Sequence, residues 1–542
     1  MTLGTVTTDS GDGPIEVTAG GTLTVRAATG DLTMADGPVY RAGGAVSLTA
    51  QSNVALGRVE AGNNAISVTA TSGAISDAWL GEGAGHENLV GGAITLVAGS
   101  GIGTDENAAT DIDTAATSIN AQTSTSGIFI DETDGVTLGP VTTDSGGGAI
   151  AVTSGGTMTV AQAVTTAGSG KIDLTTRAGN LQVDAEVRAG GDLNLDAAGR
   201  LMTADGPALS VNNGGLLHAG RAVSLAARGS NIALGRIDAG TNAIAITAGG
   251  AISDYDTAAE GAGEENLVGG AITLRAARGI GTPGVADTDT AVSRIDARTT
   301  TGGIFIDETD GVTLGSITTG NGGGAIQVTS GDAMTVAQAV TTAGRRAIRL
   351  RTEAGNLQVN QLVRAGGDLS LDAASRLNIA AAVSGSRVGL TGGTGIGHTA
   401  AGDVTSRGAI TARAARNDIS MADGTVYRAG GAVSLTAAKH VRLGRVEAGA
   451  NPIRVTARTG SISDNTVAEG RGNENLVGGN INLVAGAGVG TTDVADIDTK
   501  ANRIGARTTR GGIFIAETDD VTLGPVTTGS GGGLSRSLPA AL

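Results

Sequence analysis

Three carboxylates within five residues form the feature of this sequence that most resembles a chemical motif. The turn holds Asp131, Glu132 and Asp134, and it returns as Asp307, Glu308 and Asp310. Carboxylate oxygens are preferred ligands of Ca²⁺, so the turn could hold this ion. In a third copy Ala516 replaces the first Asp, which weakens the case for a metal. We therefore interpret the turn as a solvated acidic loop.

Two further acidic segments allow the same pair of interpretations, a binding groove or a structural loop. The hexapeptide ENLVGG begins at Glu87, Glu265 and Glu474. Other acids precede it, namely Glu82, Glu260, Glu264 and Glu469, and a separate acidic loop holds Asp105, Glu106, Asp111 and Asp113. We favour structural loops, with ENLVGG closing a long turn of the chain.

No other residue pattern indicates catalysis or metal binding. The four histidines, His86, His218, His398 and His440, have surroundings that do not repeat and lack metal-ligand spacing, so we interpret them as surface residues. No recurring Ser, His and Asp arrangement suggests a nucleophilic triad. The glycine-rich stretches lack the Lys and the following helix of a phosphate loop. We predict no catalytic, cofactor-binding or metal site, and no cofactor.

The composition restricts the fold and the partners. The chain of 542 residues has 92 Gly, no Cys, one Trp, three Tyr and three Phe, so its apolar residues are mainly aliphatic. Aliphatic residues without large aromatics suit thin, regular layers better than an ordinary globular core. The formal net charge of −16 argues against nucleic acid, because phosphate binding requires clustered Lys and Arg.

A long internal repeat covers almost the whole chain. The segment GIFIDETDGVTLG begins at Gly127 and Gly303, and GIFIAETDDVTLG begins at Gly512. We divide the chain into a partial super-repeat at 1–135, complete super-repeats at 136–311 and 312–520, and a fourth start followed by a divergent tail at 521–542. Repeats of this kind indicate stacked units that bury a continuous core.

A shorter period lies inside each super-repeat. Runs of alternating apolar and polar residues begin at Ile150, Ile172 and Leu193, which are 22 and 21 residues apart. Alternation of this kind is typical of half-buried strands. The sequence therefore predicts an all-β fold, a right-handed parallel β-helix with turns of about 21 residues. Longer turns should carry polar loops at 253–270 and 281–300.

Three segments carry a resemblance to a known family: GGDLNLDAAGRL (190–201), GGDLSLDAASRL (366–377) and GGAVSLTA (43–50). They resemble the filamentous haemagglutinin-like exoproteins, large surface or secreted adhesins of Gram-negative bacteria. These proteins are exported by two-partner secretion, and some autotransporter passengers are similar. The resemblance implies an extracellular or cell-surface location, a host-cell or glycan receptor, and an outer-membrane transporter as partner of a full-length exoprotein.

We therefore expect a structural rod and adhesion module rather than an enzyme. One alternative is a carbohydrate-active β-helix enzyme, a lyase or glycosidase, which the low aromatic content disfavours. Another is a non-functional adhesin remnant, because Met1 falls where Val136 stands in the repeat and LSRSLPAAL replaces an expected strand near the other end. The reading frame would then begin within a repeat and end by frameshift or truncation. Uncapped solenoid ends expose strand edges, so we also expect end-to-end self-association.

Overall fold

The computed structural model describes residues 2–3, 17–79, 81, 85–104, 110–144, 146–203, 217–255, 265–284, 286–466, 468, 471–492 and 495–529. The chain divides into two compact units, Met1–Ala277 and Arg278–Leu542. Within each unit the described residues form strands joined by turns, with no helix among them. Consequently, the described residues include no helix long and apolar enough to cross a membrane.

The strands of the first unit are short, and most have three or five residues. Their bounds are Thr2–Leu3, Val17–Ala19, Leu23–Ala27, Leu32–Thr33, Val39–Ala42, Val46–Ala50, Val54–Leu56, Arg58–Glu60, Ile66–Ala70, Ile75–Asp77, Leu89–Ala98, Ile112–Thr123, Ile128–Glu132, Val136–Thr143, Ile150–Ser154, Met158–Val160, Val164–Thr166, Ile172–Thr176, Leu181–Val183, Val187–Ala189, Leu193–Ala197, Leu201–Thr203, Leu217–Ala219, Val223–Ala227, Ile232–Leu234, Ile237–Asp238, Ile244–Ala248, Ile252–Asp254 and Leu267–Ala276.

The second unit repeats the same strand types. Their bounds are Thr288–Thr299, Ile304–Glu308, Val312–Thr319, Ile326–Ser330, Met334–Val336, Val340–Thr342, Ile348–Thr352, Leu357–Val359, Val363–Arg364, Leu369–Ala373, Arg376–Ile379, Val383–Gly385, Val388–Gly392, Gly395–His398, Val404–Ser406, Ile410–Ala414, Ile419–Ser420, Val426–Ala429, Val433–Ala437, Val441–Leu443, Arg445–Glu447, Ile453–Ala457, Ile462–Asp464, Leu476–Ala485, Ile497–Thr508, Ile515–Glu517 and Thr522–Thr528.

The strands stack in parallel, one turn of the chain above the next, and each unit is a parallel β-solenoid. Ile150 pairs with Ile172, and Ile172 pairs with Leu193, so the predicted strand starts are confirmed as neighbours in the ladder. We use the word rung for one such turn. Because a lone rung cannot bury its inner face, stacking both satisfies the backbone and encloses the core. Right-handed coiling stays a prediction.

The interior of each solenoid is lined by small and medium aliphatic side chains. Strand Ile172–Thr176 has the burial pattern expected from alternation, with Ile172, Leu174 and Thr176 buried and the residues between them partly exposed. Tyr427 is an exception in size, because it is fully buried. Strands with this alternation bury one face and leave the other face to solvent.

Two predicted loops contain strands, and the prediction is wrong at these positions. Within 281–300, Thr288–Thr299 is a strand of twelve residues, and within 253–270, Leu267 begins the strand Leu267–Ala276. Thr290 and Ala297 occupy buried positions of strand Thr288–Thr299, the kind of position that Ile and Leu fill in strand Ile172–Thr176. The polar side chains therefore hid the alternation. Residues 256–264 of the predicted loop 253–270 lie outside the described residues.

Each long strand pairs with more than one shorter strand along its length. Strand Ile112–Thr123 pairs through Ile112 to Thr114 with Ile128–Glu132, and through Ser118 to Thr123 with Val136–Thr143. The register shifts between Ile119 and Ala121, and Val136–Thr143 then divides its pairing between two following strands. One strand thus changes partners in its middle, which leaves the backbone between the two pairings in need of other acceptors.

Candidate functional site

The second residue of the acidic turn is a glutamate that points into the protein. Glu132 is fully buried, and its carboxylate accepts hydrogen bonds from the Thr114 hydroxyl at 2.7 Å and the Ala116 amide at 3.1 Å. Ala116 follows the point where strand Ile112–Thr123 leaves its partner Ile128–Glu132. The carboxylate therefore supplies the acceptor that no neighbouring strand provides there. We call Thr114, Ala116 and Glu132 the seam.

The seam recurs in the other two super-repeats. Glu308 accepts from the Thr290 hydroxyl at 2.6 Å and the Val292 amide at 3.0 Å. Glu517 accepts from the Thr499 hydroxyl at 2.8 Å and the Ala501 amide at 3.1 Å. The repeated glutamate thus has a structural role, and the interpretation of this residue as part of a solvated turn is wrong.

Burial raises the pKa of the seam glutamates. Removal from water raises the pKa of Glu132 to about 7, against the lowering effect of its hydrogen bonds from Thr114 and Ala116. The pKa of Glu308 is raised to about 7 for the same reason, and the pKa of Glu517 is also raised by burial. The Glu132 and Glu308 carboxyl groups therefore change charge near neutral pH, but they face the interior rather than an accessible pocket.

The remaining acids of the first turn do not converge with Glu132. Asp131 forms a two-pronged ion pair with Arg177, with hydrogen bonds of 2.7 and 2.6 Å, and Asp134 is exposed. Two-pronged Arg–carboxylate pairs are strong and directional. Across the described residues, no group of three His, Asp or Glu side chains is placed to hold a metal ion.

The ENLVGG segment holds its own loop and contacts the acidic turn. The Glu87 carboxylate accepts from the Gly85 amide at 2.8 Å, from Arg58 at 3.0 Å and from the Thr133 hydroxyl at 3.3 Å. Burial acts to raise the pKa of Glu87, but the contacts with Gly85 and Arg58 outweigh it and lower the pKa. Glu474 accepts from Thr518 in the same way at 3.3 Å. The ENLVGG segment and the acidic turn are therefore in contact in the first and third super-repeats.

Asparagine completes this loop. The Asn88 amide donates to Asp77 at 2.5 Å, and its carbonyl oxygen accepts from the Asp113 backbone amide at 3.0 Å. Asn266 donates to Asp254 at 2.8 Å, and Asn475 donates to Asp464 at 2.6 Å. These are the contacts of a closed structural loop. Asp111, Asp113 and Glu265 are also buried, whereas Glu82, Asp105, Glu106, Glu260, Glu264 and Glu469 lie outside the described residues.

Of the four histidines, only His86 has an exposed side chain. The His398 ring lies 2.7 Å from the hydroxyl of buried Tyr427 and 2.9 Å from the Gly402 carbonyl, so the surface interpretation is wrong for this residue. Burial lowers the pKa of His398 to about 4, which keeps the ring neutral. His440 contacts Ser461 at 2.9 Å, and His218 is partly buried.

One surface feature was not singled out from the sequence. A groove of about 940 Å³ follows the strands Val340–Thr342, Val363–Arg364, Val383–Gly385 and Val404–Ser406. The outward residues Thr341, Arg364, Ser384 and Thr405 are successive register partners along it. Among the described residues that line the groove, none is acidic and none is aromatic.

A sequence signal existed for the buried glutamates and for the groove. In the run Ile128, Ile130, Glu132 the period of two places the glutamate on the inner face. The groove could have been suspected from the arginines near Arg364, but only the strand register shows which side chains share a face.

No family model, curated protein or solved structure matches the chain.

Proposed function

We propose that this chain is a structural rod and adhesion module of an exported bacterial surface protein. The single observation that carries the proposal is that inward side chains hold the stacked strands together while outward side chains face solvent. The recurrent acids, Glu132 and Glu87 in the first super-repeat, are used for internal bonds. The outward faces of the stacked strands remain available along each solenoid.

The fold supports this role through its geometry. Stacked rungs present rows of side chains at a spacing of about 4.8 Å, which suits binding along a surface better than enclosing a small substrate. The proposed location is extracellular or at the cell surface. The proposed partners are a host-cell or glycan receptor and, for a longer exoprotein, an outer-membrane transporter.

Adhesion by the purified chain tests the proposal. Beads coated with the folded chain should bind cultured epithelial cells or immobilised glycans saturably, and soluble chain should compete with them. Beads coated with heat-unfolded chain provide the matched control, because they have the same composition and charge. Equal binding by both bead types, or no binding by either, would reject the adhesion role.

The enzyme alternative is tested in the same samples. A lyase or glycosidase would release new reducing ends from the glycans during incubation, whereas an adhesion module would leave the polymers at their original length.

A further inference from the structure

Segments 167–201 and 343–377 are homologous but differ in charge. The first has four basic and five acidic residues, whereas the second has six basic and three acidic residues. Ser169, Gly170 and Asp173 of the first segment correspond to Arg345, Arg346 and Arg349 of the second. The stretch 345–416 holds ten Arg and four acidic residues, in a chain whose formal net charge is −16. Positive charge is therefore concentrated in one part of an acidic protein.

One difference between the two segments leaves an arginine at the groove without an acidic partner among the described residues. In the first segment the Arg188 guanidinium donates to Glu186 at 2.6 Å. The corresponding residues of the second segment are Arg364 and Leu362. Leu362 is 38% exposed, which is unusual among the large apolar side chains of the described residues. Arg364 is exposed, and within the described part of the chain no carboxylate lies at ion-pair distance from it.

The residues around Arg364 add hydrogen-bonding groups without adding negative charge. Thr341 precedes Arg364 and Ser384 follows it in the ladder, and Thr405 comes next. Arg407 extends along the groove and donates to the Gly366 carbonyl and, at 2.9 Å, to the Ser386 hydroxyl. A cleft lined by one sign of charge concentrates ligands of the opposite sign.

We propose that this groove binds an extended anionic polysaccharide, with Arg364 contacting its carboxylate or sulfate groups and the neighbouring hydroxyls contacting its sugar hydroxyls. The inference rests on the proposed adhesion function and names the ligand class. A single-stranded nucleic acid fits less well, because such ligands stack their bases on aromatic side chains and the described lining has none. A regular polymer matches a groove that repeats at about 4.8 Å per rung.

Binding of the full chain to immobilised polygalacturonate, heparin and neutral dextran tests the proposal. We expect binding to at least one of the two anionic polymers and none to dextran. Polygalacturonate carries only carboxylates, whereas heparin also carries sulfates, so comparing the two at equal charge density identifies the preferred group. Raising NaCl from about 0.05 M to about 0.5 M should weaken the binding, because salt screens exposed charges.

Two exchanges between the homologous segments provide the variants. Leu362→Glu gives Arg364 the partner that Arg188 has, and it should weaken polymer binding about tenfold, the effect of losing one charged contact. Glu186→Leu is the matched control in the other segment and should leave the affinity of the groove unchanged. Arg345→Ser with Arg346→Gly should also weaken binding. Circular dichroism spectra should be the same for all variants, because the changed residues face solvent.

Several results would overturn the proposal: no binding to either anionic polymer at low salt, equal effects of Leu362→Glu and Glu186→Leu, or equally tight binding of single-stranded DNA. Self-association lost in Leu362→Glu without any polymer binding would instead assign the groove to a second copy of the chain. Cell adhesion unaffected by Leu362→Glu would reject the groove as the adhesive site while leaving the proposed adhesion function intact. Polymer binding without cell adhesion would reject the adhesion function while leaving polysaccharide binding by the groove intact.

Discussion

Segments 167–201 and 343–377 place the same residue types toward the interior and different charges toward solvent. Ile172 and Leu174 correspond to Ile348 and Leu350, and all four are buried. Outside, Thr175 is replaced by Arg351 without any change in strand length, and both residues keep a register partner on the next strand. The inner face therefore sets the register of the solenoid, and the outer face can change its charge without changing the fold.

The largest effect should come from the inner face. Leu174→Ala and Leu350→Ala should each lower the free energy of unfolding by about 2–5 kcal/mol, because each leaves a cavity in a packed core. Denaturant titration followed by circular dichroism measures the loss. The outward exchange Thr175→Arg, which copies Arg351, should stay within about 0.5 kcal/mol. If Leu350→Ala were as harmless as Thr175→Arg, the distinction between the two faces would be lost.

A smaller loss should follow from the polar part of the inner face. Glu132→Ala leaves the Thr114 hydroxyl and the Ala116 amide buried without their acceptor, and it should cost about 1–3 kcal/mol of unfolding free energy. Asp134→Ala, in the exposed part of the same turn, is the control and should be nearly neutral. Equal stability of the two variants would mean that the seam does not stabilise the point where strand Ile112–Thr123 changes pairing partners.

The seam should also make stability depend on pH. The folded pKa of Glu132 and Glu308 is raised from 4.5 to about 7, so their contribution to stability is complete below about pH 4.5 and is lost as the pH rises through 7. Relative to the double variant Glu132→Gln with Glu308→Gln, the native chain should therefore become less stable between pH 5 and pH 8. Thermal unfolding at a series of pH values measures the difference. Parallel curves for the two proteins would contradict the assignment.

The smallest effect on stability should come from the outer face. Glu186→Leu removes the exposed ion pair with Arg188 and should cost no more than about 1 kcal/mol, since exposed pairs are screened by water. Leu362→Glu should gain a similarly small amount. Denaturant midpoints of the two variants measure both changes. A larger cost would show that the outer pair takes part in holding the rungs together.

The sequence predicts the ladder well because its signal is local. The strands starting at Ile150, Ile172 and Ile326 are visible as alternating aliphatic runs bounded by glycine. Strand Thr288–Thr299 was missed because buried Thr and Ala take the place of branched aliphatics. The role of Glu132 was missed because it depends on a strand that changes partners, which is a contact between distant residues.

The groove is partly predictable from the sequence, unlike the role of Glu132. The replacement of Glu186 by Leu362 is visible when the repeats are aligned, yet its consequence for Arg364 depends on which side chains the register places together. Charge on the outer face is not constrained by packing, so no periodic pattern in the sequence predicts where it lies. Comparison of repeats within one chain is the part of sequence reasoning that could have found it.

Disulfide trapping tests the stacking of rungs most directly, because the chain contains no Cys. Asp173 pairs with Asn194, and Arg349 pairs with Ser370. Register partners on adjacent strands lie about 4.8 Å apart, within the range that a disulfide bridges. Cysteines at 173 and 194, or at 349 and 370, should crosslink on mild oxidation, whereas cysteines at 173 and 196 should not. Equal crosslinking of the offset pair, or none in either register pair, would contradict the parallel solenoid.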